Sequence, residues 1–373
     1  MADGSEGTGA VRRHTDTTCR APMPVLIPPP YGAYALAMLV GAAGSLVFVQ
    51  FGLPLPWFLG ALTACLVASV ANLPVARPHP LSIPMRAVLG VAVGSAYTPA
   101  LLDRLPSMLG SLALLVPFMA LIIAIGMAFY ERVAGFDRPT AFYAAVPGGL
   151  TDMTTMAEDS GANVRAIILV QASRILVIVF ALPLWLQWHD GLSVGQAFAT
   201  RVRLGDIWPF DALVMIAMGW GGWWIARRLG LAGAPIVGPM LASGIAHALG
   251  YTVAKVPLEI LIMAQVSVGA MLGCQFRGLT MKEFTGTMTW GIFNALVLLV
   301  VTGGVAWAVS QLTGFDPVSV LLAFAPGGQT ELNLLAYVLG LDVAYVALHH
   351  LMRLAIVILG AQIVFRTRTD WRR

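Results

Sequence analysis

Apolar stretches alternate with short polar breaks along most of this chain. In the first half they fall near residues 33–52, 56–73, 84–98, 107–130, 139–157 and 162–187, and in the second near 209–228, 232–250, 258–274, 286–311, 317–339 and 343–366. The runs from Leu112 to Phe129 and from Trp290 to Val309 contain no Asp, Glu, Lys or Arg. Each is long enough to cross a hydrocarbon core of about 30 Å as a helix. The pattern predicts an all-α polytopic membrane protein of 10–12 helical segments.

The stretches repeat. Gly135-Phe136-Asp137 followed by Pro147-Gly148-Gly149-Leu150-Thr151-Asp152 recurs 179 residues later as Gly314-Phe315-Asp316 followed by Pro326-Gly327-Gly328-Gln329-Thr330-Glu331. The register continues through Gly161 and Gly340, Asn163 and Asp342, Gln171 and His350, and Arg174 and Arg353. Upstream, Trp57 to Leu62 answers Pro235 to Met240, and Gly94 is matched with Gly269. The expected organisation is a polar tail (1–30), a membrane repeat (31–187), a linker (188–208), a second repeat (209–366) and a short tail (367–373). The short, glycine-bearing segments around Gly94 and Gly269 are candidates for partial or tilted crossings.

Each copy places its most polar cluster inside very apolar sequence. Proline lacks an N–H, and each glycine disfavours helix by about 1 kcal/mol relative to alanine. A helix broken at Pro147-Gly148-Gly149 or Pro326-Gly327-Gly328 therefore frees backbone groups that lipid cannot satisfy, so the break must face protein or water. Thr151 and Thr330 are read as N-caps of the restarting half-helices, with Asp152 and Glu331 in the first turn, where the helix dipole favours an anion. These carboxylates either cap their own helices or bind a proton, a cation or an amine. Arg174 and Arg353 each follow a carboxylate by 22 residues. A turn at Gly161 or Gly340 brings them back to similar depth, which predicts the ion pairs Asp152–Arg174 and Glu331–Arg353; the arginines are also candidates to receive an anionic substrate. His350 offers a proton relay or a hydrogen-bonded packing group. Asn163 and Asp342 suit the caps of the last helices, and Asn333 joins the candidate site.

Composition narrows the class. Only 11% of residues are charged and 58% are hydrophobic, against about 25% charged in soluble domains. The net charge of +4 reflects loops and tails, and no nucleic-acid-binding motif accompanies it. Cys19, Cys65 and Cys274 are scattered and form no metal-ligand or disulfide spacing. No cofactor motif is visible, so no cofactor, metal or enzymatic activity is expected. Residues 1–30 lack the apolar core of a cleaved signal and read as a disordered cytoplasmic tail. Loop lysines and arginines put both termini on the cytoplasmic side of the membrane, whether each repeat crosses five times, giving inverted repeats, or six, giving parallel ones. The inverted arrangement is the expectation.

The doubled PGG-x-Thr-Asp/Glu phrase, the later glycine and the arginine beyond it resemble the AbrB family of duplicated bacterial membrane proteins over about 33–366. The break is also similar to that of the bile acid:sodium symporter superfamily, where two five-helix inverted repeats cross at discontinuous helices around ion and substrate. The superfamily's asparagine after PGG has only Asn333 as a loose counterpart, so the resemblance carries sodium coupling poorly. The AbrB resemblance implies two labels, a regulator of gene expression and an ammonia monooxygenase; the residues supply neither a DNA-reading domain nor a metal or flavin site. The reading that follows is a secondary transporter of a small molecule by alternating access, coupled to protons or cations, in the lipid bilayer. Its alternative is a membrane sensor acting indirectly on gene expression.

Overall fold

A computed structural model describes residues 31–148, 153, 156–158, 160–190, 202–231, 233–278 and 280–367. Thirteen helices of eight residues or more run through them: α1 (Tyr31–Gln50), α2 (Pro56–Val70), α3 (His79–Gly94), α4 (Pro99–Arg132), α5 (Arg138–Ala145), α6 (Val164–Asp190), α7 (Pro209–Arg228), α8 (Ala234–Ala248), α9 (Leu258–Gly273), α10 (Thr289–Thr313), α11 (Pro317–Phe324), α12 (Gln329–Leu339) and α13 (Val343–Thr367). No strand occurs among the described residues. Among the described residues six helical spans, built on α1, α4, α6, α9, α10 and α13, are long and apolar enough to cross a membrane. The protein is an all-α polytopic membrane protein.

Equivalent positions of the two halves adopt the same local geometry. The five positive-φ residues described before 190 are Gly52, Leu55, Asn72, Gly135 and Gly161, and each has a positive-φ counterpart 178 or 179 residues on: Gly230, Gly233, Gly250, Gly314 and Gly340. Leu55 is the strained member. It holds φ 43° as the N-cap of α2, where Gly233 plays the same part for α8 without a Cβ penalty. Asp137 and Asp316 accept hydrogen bonds from Thr140 N and Ser319 N and so open α5 and α11. Asn163 and Asp342 accept from Ala166 N and Tyr345 N as the expected caps of α6 and α13.

The helices pack as two groups, and neither group is one half of the sequence. In the first, α1 lies on α2, α2 on α9, α9 on α3, α3 on α8 and α8 on α7. In the second, α4, α5, α6, α10, α11, α12 and α13 pack on one another. Both groups draw on both halves, and they meet where α12 and α13 touch α3 and where α4 touches α8.

Small residues set the first group. A Cβ on Gly90 would lie 2.5 Å from Ile236 O, and one on Gly94 2.5 Å from Met240 O and 2.7 Å from Ser243 Cβ. Gly269 and Gly273 press in the same way on Phe58 O and Leu62 O. This corrects the sequence register. Gly90 corresponds to Gly269 and Gly94 to Gly273, one helical turn from the pairing of Gly94 with Gly269, because a run of small residues gives no unique alignment until its partner helix is known. By the same shift Arg86 of α3 corresponds to Gln265 of α9. Cys65 and Cys274, far apart in sequence, share one small buried cluster between α2 and the end of α9 and are both free.

Two exposed ion pairs tie the halves together. Arg104 of α4 reaches Asp342 at 2.9 Å, and Arg165 of α6 reaches Glu283, which precedes α10. Arg104 and Glu283 are equivalent positions of opposite charge, but their partners are offset: Asp342 corresponds to Asn163, two residues before Arg165. The Glu283 carboxylate is held down to about 2, first by the hydrogen bond from Arg165 and then by those from Thr280. A depressed carboxylate stabilises the fold above its ordinary value and loses that contribution as pH falls toward the folded one.

Two outcomes are expected. Gly94→Val should lower folded yield and melting temperature by an overpacking cost of about 1–3 kcal/mol or more, whereas Gly110→Ala, with nothing within 4 Å of its added methyl, should be neutral or slightly stabilising. Melting curves of Glu283→Gln should fall below wild type at neutral pH, with the gap closing as pH drops through about 4.5 toward about 2. A gap unchanged down to the lowest pH would show that the charge of Glu283 is not what matters.

Candidate functional site

Both expected breaks are present. Helix α5 stops at Ala145, before Pro147-Gly148, and α11 stops at Phe324, with α12 resuming only at Gln329. Gly149, Thr151 and Asp152 lie outside the described residues. In place, a Cβ on Gly148 would come within 2.9 Å of Val357 of α13, and one on Gly327 within 3.0 Å of Ile178 of α6. Ile178 and Val357 are themselves equivalent positions. Each break is thus pressed against the last helix of the other half.

The end of each interrupted helix leaves carbonyls without intrahelical donors. The last helix of the same half supplies the donors, in register. Gln171 Nε2 donates to Tyr143 O at 3.0 Å, and Arg174 Nη1 to Ala144 O and Ala145 O at 3.5 and 3.4 Å. In the second half, His350 Nε2 lies 3.0 Å from Leu322 O, while Arg353 Nη1 and Nη2 donate to Ala325 O at 2.6 Å and Gly327 O at 2.8 Å. A carbonyl only accepts, so His350 must carry its proton on Nε2. All four side chains are buried: Gln171 and His350 are 1% exposed, Arg174 3% and Arg353 5%.

This corrects the expected pairing of Glu331 with Arg353. No ion pair joins them within 4 Å among the described residues, because the guanidinium is taken up by the carbonyl end of α11 and the break. Arg174 makes the equivalent bonds, and its expected partner Asp152 lies outside the described residues. Thr330 is likewise not the cap. Gly328 is the N-cap of α12, extended at φ −69°, ψ 134°, with no side-chain hydrogen bond. Thr330 sits at the second helical position. Glu331, at the third, folds back over Gly328, where any Cβ would collide with its carboxylate. That is the place of the acid in a capping box, with glycine in the cap position. Asn333 is fully buried and its Nδ2 lies 3.9 Å from Met240 Sδ of α8.

Arg86 is the residue the sequence reading missed. From α3 its charge acts on Glu331, ahead of that of Arg353, without an ion pair within 4 Å among the described residues. The two interhalf arginines, Arg174 and Arg353, also act on each other. Gln265, the counterpart of Arg86, is fully buried with both amide atoms unpartnered among the described residues. The register of glycines on α3 and α9 would have found both. The structure therefore collects Gly327, Gly328, Glu331, Asn333, His350 and Arg353 with Arg86 where α12 meets the first helix group. Pro147, Gly148, Gln171 and Arg174 form the equivalent arrangement at the first break. Among the described residues no group of three or more His, Cys, Asp or Glu could hold a metal.

Buried carbonyls that lose a charged donor cost about 1–3 kcal/mol each. Arg353→Leu should therefore sharply lower the melting temperature, and Arg353→Lys should recover part of the loss. Adding Glu331→Leu to Arg353→Leu should leave the loss in place, because the carbonyls of Ala325 and Gly327 still lack their donor. If the second substitution instead rescues the first, the two side chains are a direct ion pair.

The family model described as "Transition state regulatory protein AbrB" matches residues 57–368. The "Uncharacterized protein YhjN" of Bacillus subtilis (strain 168) is 26% identical over 344 residues, covering 86% of this chain and 88% of that protein. The "Putative regulator AbrB" of Escherichia coli (strain K12) is 23% identical over 335 residues, covering 86% and 92%.

Proposed function

The chain belongs to the AbrB family, and on that premise we propose that it is a secondary transporter of a small molecule, working by alternating access and coupled to protons. The observation that carries the proposal is the position of the second break. Its ionisable side chains stand where α12 meets α3 and α8, at the seam between the two helix groups. A broken helix at such a seam is where transporters gather ion and substrate. Buried ionisable groups in a membrane are costly enough that a functional role is the default reading. Movement of one group against the other, with the crossed breaks as the moving site, would expose the seam to each side in turn. Inverted topology of the halves, a plasma-membrane location and cytoplasmic termini belong to the same proposal, as does the absence of an enzymatic step or nucleic-acid contact.

The regulator in the family's description and in one relative's name supports a second reading, a sensor that binds a small molecule at this seam without moving it. Flux separates the two. Purified protein in proteoliposomes under an imposed pH gradient should accumulate substrate, with a pH dependence belonging to the coupled group around Glu331 and His350 rather than to one residue. Glu331→Gln should abolish that dependence, while Asp152→Asn should only reduce the rate. Binding without flux would favour the sensor. Full, normally pH-dependent flux in Glu331→Gln would reduce the acid to a helix cap.

A further inference from the structure

The corner at the start of α12 is built to hold an anion, and the protein's own carboxylate now fills it. The 11-residue helix begins without a side-chain cap, so its first N–H groups and the positive end of its dipole face the corner. Glu331, 8% exposed, turns back onto Gly328 to sit there. The charge of Arg86 acts on it from α3, and among the described residues the buried Nε of Arg86 has no hydrogen-bond partner. His350, 1% exposed, lies beside the backbone of Gln329, and among the described residues its buried Nδ1, the nitrogen left without the proton, meets no donor. Gly327, Gly328, Gln329, Thr330 and Arg86 are only half-buried, so the corner is open to an entering molecule.

The charges around Glu331 come from three elements. Arg86 of α3 and Arg353 of α13 act on it, and His350 of α13 and Arg174 of α6 act in turn on Arg353. Helix α11 carries no ionisable residue, and α8 brings Met240. Two guanidiniums, those of Arg86 and Arg353, thus act on one described carboxylate, with Arg174 beyond Arg353. The occupant is itself a carboxylate, which fixes the chemistry that fits.

We propose that this corner is the binding site for a small organic carboxylate, and that the Glu331 side chain is an internal stand-in that yields the site when it is protonated. The inference rests on the transporter reading and names its substrate class and its coupling. Ionised, Glu331 occupies the helix N-terminus and neutralises Arg86. Neutral, it gives up its hold on both, and a substrate carboxylate takes its place. One proton then enters with each anion.

The probe is propionate, which reproduces the end of the glutamate side chain. Full-length protein is melted in propionate against chloride at equal ionic strength, at about pH 6 and about pH 8, since a ligand bound to the native state raises stability in proportion to RT ln(1 + [L]/Kd). Wild type should show a propionate-specific rise that is larger at about pH 6. Its apparent affinity should weaken about tenfold per pH unit above the coupled pKa, the signature of one linked proton. Glu331→Gln should bind at both pH values with no pH dependence, Arg86→Gln should lose the rise, and Arg86→Lys should recover part of it. The wild-type arm stands alone if a variant fails to fold. No propionate-specific rise in wild type at either pH overturns the proposal, and so does a rise that survives in Arg86→Gln. Uptake of labelled propionate into proteoliposomes separates the two readings. Binding without uptake leaves the site and sinks the transporter, whereas uptake indifferent to Arg86 and Glu331 sinks the site and leaves the transporter.

Discussion

A helix that breaks inside a membrane must find new partners for its freed carbonyls, because lipid offers none. That demand fixes the rest of this molecule. Gln171 and Arg174 meet it for α5, and His350 and Arg353 for α11. The donors are long side chains on the last helix of each half, so α6 and α13 must run alongside the interrupted helices. The same two helices also cover the opposite breaks, through Ile178 against Gly327 and Val357 against Gly148. Carbonyl satisfaction within a half and steric closure between halves are therefore carried out by the same pair of helices. An arginine used in this way is a positioning group first. Its charge remains in the site after its hydrogen bonds have been spent on the backbone.

Close packing explains why the remaining helices form a separate group. Gly90 and Gly94 on α3, and Gly269 and Gly273 on α9, bring backbones into contact with α8 and α2. Gly44 against Gly60 and Gly222 against Gly238 do the same for α1 on α2 and α7 on α8. Such contacts gain dispersion energy where no hydrophobic drive exists between lipid-exposed helices. The seam to the second group is different in character. It carries Arg86, Glu331 and Asn333 against Met240 rather than a glycine crossing. A polar seam between two tightly packed groups is a place where relative displacement changes hydrogen bonds and charge contacts instead of opening a packed core.

Much of this was legible in the sequence. The apolar runs gave the helices, the PGG phrases gave the breaks, and the asparagine and aspartate after each later glycine gave the caps of α6 and α13. What escaped the sequence was partner choice. A spacing of 22 between Glu331 and Arg353 puts them at similar depth, but it does not say that the guanidinium will prefer Ala325 O and Gly327 O. Thr330 has the chemistry of a cap, yet the helix starts two residues earlier, with Gly328 as its N-cap, and Glu331 folds back over that cap. Cys65 and Cys274 looked unrelated because the α2–α9 crossing that joins them is invisible in one dimension. Arg86 escapes notice in one dimension because only the packing of α12 on α3 brings its charge to bear on Glu331.

With that register corrected, the two corners are seen to differ in a consistent way. Arg86 has Gln265 as its counterpart, and His350 has Gln171. Because α12 packs on α3, the charged members, Arg86 from the first half and Glu331 and His350 from the second, fall together at one corner. The neutral amides, Gln171 and Gln265, are left as the counterparts. Arg174 and Arg353 already act on each other, and a third and fourth cation in the same low-dielectric region would raise the cost of burial further. Amides in place of Arg86 and His350 keep hydrogen-bonding capacity at the backbone, as Gln171 shows at Tyr143 O, while removing two ionisable groups. Two structurally equivalent breaks can thus coexist in one membrane protein when only one of them keeps the full titrating complement.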